Sequence, residues 1–137
     1  MATKPKSPQQ MYEEITAAFA QAELVGDAMQ DHLERKVQEC NQLAAKGQGG
    51  SEFMKLEYAG EKDATGRWHL SVKGKLQRMD VEVNPKPGRI GFTTFDEHGE
   101  RKGMVQLLKI DKPAGDLPEY LAASVVESVI EGCEFRA

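Results

Sequence analysis

The chain is 137 residues long, with 39% hydrophobic and 29% charged residues and a net charge of −4. This length suits one hydrophobic core, and the balance of residue types excludes both a disordered chain and one dominated by membrane spans. The acidic total excludes a surface built throughout for polyanions, although the charge is uneven: both ends of the chain are acidic and the middle is basic.

Residues 1–6 hold few side chains that pack, so they are expected to form a disordered tail ahead of a single α+β domain over 7–137. Ser7 reads as an N-cap, with Pro8 in the first helical position and Gln10 three residues on, as a capping box requires. From there Met11, Ile15, Phe19, Ala22, Val25, Met29, Leu33, Val37, Cys40 and Leu43 recur at steps of three and four, which predicts one helix over 7–45. Such a helix is about 55 Å long at 1.5 Å per residue, more than the width of a domain this size. Its apolar stripe is therefore expected to overrun the sheet and meet a second copy of the chain. Gly26 offers a helical hairpin as the alternative, but the stripe keeps its phase across it.

Residues 46–51 hold three glycines and read as a linker into an antiparallel sheet over 52–111. There the apolar period falls from 3.6 to 2. Met54, Leu56 and Tyr58 alternate with polar neighbours, a turn follows at Gly60 to Gly66, and Trp68, Leu70 and Val72 alternate again. The alternation slips after Gly74 and resumes with Met79, Val81 and Val83, so a bulge or a turn is required between Gly74 and Arg78. The prolines and glycine of Asn84 to Arg89 break the chain before a strand containing Ile90, Phe92 and Thr94. After the Asp96 to Glu100 loop comes the most apolar strand, Met104 to Ile110. It carries apolar residues at both parities and is expected to lie centrally or to be covered on both faces. The sheet is thus a meander of about four to five strands, closed by a helix over 116–132 that packs on it. Asp116 is the expected N-cap of that helix and Gly132 its end.

The chemistry-bearing residues do not fall into a catalytic pattern. Cys40 and Cys133 have no CxxC or Cys/His spacing and read as two buried, reduced thiols. His32 flanks the helical stripe, His69 points away from the core because Trp68 points into it, and His98 sits in a loop with Asp96, Glu97 and Glu100 that reads as a solvated turn. Gly47, Gly49 and Gly50 precede a strand rather than a helix, so they are a linker and not a phosphate cradle.

Three functions from different classes are compatible with this reading. The favoured one is a non-enzymatic protein–protein interaction module, self-associating as a homodimer or binding another protein, with Met11, Ile15, Phe19, Met29, Leu33 and Val37 as the interaction surface. A second is nucleic-acid binding, with Lys73, Lys75, Arg78, Arg89, Arg101 and Lys102 as phosphate contacts at strand ends and loops. Acidic residues are interleaved with these cations, and Tyr58, Trp68 and Phe92 fall on the core face rather than where bases stack. A third is a small-molecule pocket or enzyme between sheet and helices, lined by Met54, Met79, Met104 and Trp68. No cofactor is expected. No run approaches the about 18 apolar residues of a membrane span, and the N-terminus lacks a secretion signal, so the expected location is cytoplasmic.

Overall fold

Ser7 does open the first helix. Its Oγ accepts a hydrogen bond from the Gln10 amide at 3.2 Å, and the Gln10 Oε1 accepts from the Ser7 amide at 2.9 Å. In the computed structural model, which describes residues 4–85, 88–110 and 115–136, helix α1 then runs unbroken over Pro8–Ala44. Gly26 lies inside it without ending it. A Cβ at that position would stand 2.6 Å from Trp68 Cε2, so the glycine is there to let the indole ring lie against the helix backbone.

A short 3₁₀ helix, Ser51–Met54, starts at the last residue of the expected linker and takes up 52–54, the expected start of the sheet. Five strands follow: β1 (Glu57–Lys62), β2 (Trp68–Lys73), β3 (Gln77–Asn84), β4 (Arg89–Asp96) and β5 (Arg101–Lys109). They form one antiparallel meander in the order β1-β2-β3-β4-β5. Helix α2 spans Leu117–Glu131, and both helices pack on the same face of the sheet, so the architecture is the expected α+β one. The slip after Gly74 is a turn, closed by the Gly74 amide bonding the Gln77 carbonyl at 2.9 Å. Of the predicted break at Asn84 to Arg89, Lys86 and Pro87 lie outside the described residues, as do 111–114 at the end of the expected sheet.

The core is the layer between helices and sheet. Ala22, Val25, Met29, Leu33 and Val37 of α1 and Leu121, Val125 and Val129 of α2 meet Trp68, Leu70, Val72, Met79, Val81, Val83, Ile90 and Phe92 of the sheet. Two polar side chains fasten the layers. Asn41 Oδ1 accepts from the Leu56 amide at 2.8 Å and its Nδ2 donates to the Leu56 carbonyl at 3.0 Å, which pins the end of α1 to the chain entering β1. Gln77, buried in the sheet, donates through Nε2 to the carbonyls of Ser128 at 2.8 Å and Cys133 at 3.0 Å. The Ser128 carbonyl also accepts from the Gly132 and Cys133 amides that close α2, so Gln77 fastens the sheet to the end of that helix and to the residue just beyond it.

Three expectations are corrected. Strand β5 is not central: it is an edge strand, and among its residues only Gln106 and Leu108 are even half-buried. The helices cover β1 to β3 and stop short of it, so of its apolar residues Leu108 alone packs against the core while Met104, Val105 and Leu107 are exposed. Asp116 precedes α2 but its side chain makes no capping bond, its backbone (φ −87°, ψ 1°) not being the extended conformation that aims a cap side chain at the first turn. Cys133 is exposed rather than buried, because α2 ends at Gly132 in the left-handed region and the chain turns away before the thiol.

Candidate functional site

The stripe on α1 divides into two parts. Met29, Leu33 and Val37, expected on the interaction surface, are buried in the chain's own core, because the sheet and α2 take up the stripe from Ala22 onward. They are therefore not available to a partner. Met11 and Ile15 remain, 47% and 65% exposed, with Phe19 half-buried at the boundary. Tyr12 is exposed beside them, so about three turns of helix project with an uncovered apolar face. Glu14 lies on that same face, at i+3 from Met11 and next to Ile15, and pairs with Lys6 at 2.7 Å.

The second feature is the sheet face away from the helices. Strand alternation sends His69, Arg78, Asp80, Glu82, Arg89 and Phe95 to that side, where no helix lies over them. The curved sheet leaves there a shallow groove of about 650 Å³, whose β5 wall is Val105 and Leu107, 42% and 63% exposed. Two ion pairs neutralise its centre: Arg78 Nε with Asp80 Oδ1 at 3.2 Å and Arg67 with Glu82 at 3.7 Å. Arg78 also lies over the Phe95 ring, 4.1 Å from its centroid. At one end of the groove Arg89 and Lys109 are direct cross-strand partners, both exposed, and neither has an ion-pair partner among the described residues. Like charges placed so repel each other.

The expected phosphate contacts are therefore not one patch. Lys73, Arg78, Arg89 and Arg101 share the open face, but Lys75 sits in the β2–β3 turn over Phe53 and 3.5 Å from Glu52. Lys102 turns to the helix side and donates to Gln77 Oε1 at 3.0 Å. Sequence reading missed Phe95, although its parity relative to Phe92 places it on the open face; it missed the Arg89–Lys109 pair because register is not written in either strand alone.

The third feature is a gap of about 490 Å³ on the helix side, between β4, β5 and the terminal residues, where Phe135 stacks on Phe92 at 4.5 Å between centroids. Gln106 Nε2 donates there to the Phe135 carbonyl at 3.0 Å, and its Oε1 has no hydrogen-bond partner among the described residues. Of the methionines expected to line a pocket, Met79 and Met54 are packing, and Met104 is 88% exposed on β5.

The ionisable groups with displaced pKa values are accounted for by local structure. Asp63 is held well below the usual carboxylate range by the Thr65 hydroxyl first, then by His69 and the Arg67 amide. His69 Nε2 stands 2.7 Å from Asp63 Oδ2, so the open-face histidine is part of the β1–β2 turn. Asp96 is lowered by the amides of Glu100 and His98 across the β4–β5 turn. Burial pushes the Tyr58 hydroxyl up to about 12, with Glu34 adding to it, and burial likewise raises the Cys40 thiol. A raised thiol is the opposite of an activated one. Among the described residues no three His, Cys, Asp or Glu side chains are grouped to hold a metal ion, and no helix is long and apolar enough to cross a membrane.

No family model, no curated protein and no solved structure matches this chain.

Proposed function

We propose that this chain is a non-enzymatic protein-interaction module that associates with itself through the projecting N-terminal turns of α1. The observation that carries the proposal is the exposure of Met11 and Ile15 on one face of a helix that has already left its own sheet. An apolar face of that kind is stabilised by cover, and a second copy is the partner always present at equal concentration. The displaced carboxylates, Asp63 and Asp96, bond backbone and side chains of their own turns, which fits a structural rather than a catalytic use. Sedimentation equilibrium at tens of micromolar tests the reading: a dimer is expected, and a strict monomer removes it.

Nucleic-acid binding is the second reading, favoured by one arrangement: Arg78 stacked on Phe95 on an uncovered sheet face, with Arg89 and Lys109 at its end and without an ion-pair partner among the described residues. An arginine beside an aromatic ring is a surface on which a base can stack. Fluorescence anisotropy with a labelled single-stranded oligonucleotide checks it, because phosphate contacts make affinity fall steeply between low and high salt. No binding at low salt ends this reading.

A further inference from the structure

The projecting end of α1 and the open sheet face are complementary in kind. One is a convex helix with apolar Met11 and Ile15 flanked by Glu14, whose exposed ion pair with Lys6 would have to open or be shared, and with Glu13 alongside. The other is a concave groove walled by Val105 and Leu107, with the mutually repelling Arg89 and Lys109 at its end. Strand β5 has the sequence of a strand covered on both faces, yet this chain packs only Leu108 against its core on the helix side and leaves Val105 and Leu107 uncovered on the open side. Adding an acidic apolar helix there supplies apolar cover to Val105 and Leu107 and a countercharge to the two cations.

We infer that in the dimer the first three turns of α1 of one copy lie in the open sheet groove of the other, with Met11 and Ile15 against Val105 and Leu107 and Glu14 near Arg89 and Lys109. This inference rests on the self-association proposed above and names the surface that receives the helix. Area favours a reciprocal arrangement. One short helix end is small beside the about 1,200 Å² that stable interfaces bury at least, and a twofold axis makes the same contact twice. Each copy then gives its helix and receives its partner's.

Ile15 and Leu107 are both exposed, so charged substitutions at either leave the monomer's core untouched, and circular dichroism and a thermal melt of each variant confirm this. Sedimentation equilibrium of the full chain is compared for wild type, Ile15→Glu and Leu107→Glu. The expected result is that both substitutions weaken the dimer at least tenfold. Loss of the dimer in Ile15→Glu alone overturns the inference while leaving the helix as the contact, as in a helix-to-helix dimer. Loss in Leu107→Glu alone overturns both and points to β5 pairing with β5. A wild-type monomer overturns the self-association itself, and an oligonucleotide that binds the wild type but not Leu107→Glu gives the groove to nucleic acid instead. Where both variants dissociate, placement is read with a short bis-maleimide in a Cys133→Ser background. A mixture of Ile15→Cys and Leu107→Cys chains is expected to cross-link between the two variants in preference to either with itself, and the reverse preference overturns the inference.

Discussion

The two edges of the sheet are finished differently. Strand β1 is six residues long and charged at Glu57, Glu61 and Lys62; Lys62 reaches across to Glu23 of α1 at 3.1 Å and lies over the Trp68 ring at 4.3 Å. Strand β5 is nine residues long, has no charge between Gly103 and Leu108, and exposes Met104, Val105 and Leu107 beyond the reach of either helix. Charge, shortness and cover are the ordinary means of protecting an edge. At β1 all three act within the chain. At β5 there are cations at the two ends and a register shift between Phe92 and Thr94 of β4, which limit edge-to-edge pairing but leave the apolar side chains in water.

Large apolar side chains near the two edges should therefore differ most in what they contribute to the monomer. Trp68→Ala, beneath β1, removes a buried ring against which α1 has given up a side chain, and it should cost about 3–5 kcal/mol in urea unfolding. Leu107→Glu, on β5, should move the unfolding free energy of the monomer by no more than about 0.5 kcal/mol. Comparable losses at the two sites would erase the contrast between the edges.

Gly26→Ala probes the β1 side from the helix. Alanine raises helix propensity by about 1 kcal/mol, but the new Cβ meets Trp68, and overpacking costs about 1–3 kcal/mol or more because neither the ring nor the helix backbone moves easily. The clash should win, leaving a net loss of about 1–2 kcal/mol by thermal or denaturant melting. A stabilised variant would mean that helix and ring are not in contact in solution. Gln77→Leu tests the middle of the sheet, where one side chain serves the end of α2 and Lys102 of β5 together. The Ser128 carbonyl keeps its backbone donors, but leaving the Cys133 carbonyl without its donor and Lys102 without its acceptor should cost about 1–3 kcal/mol.

The elements were legible in the sequence because each rests on local periodicity: the capping box at Ser7, the stripe that kept its phase over Gly26, and the alternation of Trp68, Leu70 and Val72. The limits of cover were not. Nothing in Met29 or Leu33 distinguishes them from Met11 or Ile15, since all sit on the same stripe, and only the extent of the sheet decides which meet a core and which meet water. The placement of β5 failed for the same reason. Apolar residues at both parities record that a strand is suited to cover, not that its own chain supplies it. The Arg89–Lys109 juxtaposition depends on register across a hairpin and on a shift within it, which neither strand encodes alone.

The smallest expected effect lies in the turns that close the two edge hairpins. Asp63 accepts from the Thr65 amide and hydroxyl, the Arg67 amide and His69, whereas Asp96 accepts from the His98 and Glu100 amides. Both carboxyls are held below their ordinary value, so each contributes stability that is fully present above about pH 3.9, the unfolded value, and is lost as pH falls through the lowered folded value. Asp63 is depressed far enough that its turn should keep its charge to lower pH than the Asp96 turn. Carboxyl carbon chemical shifts followed by NMR from pH 6 downward should give two midpoints below the ordinary value, with Asp63 the lower. In Asp63→Asn the amide protons of the β1–β2 turn should exchange faster at neutral pH while those of the β4–β5 turn are unchanged. Equal midpoints, or exchange that speeds up in both turns, would show that the two hairpins are closed alike and that the difference between the edges begins with the strands and not with their turns.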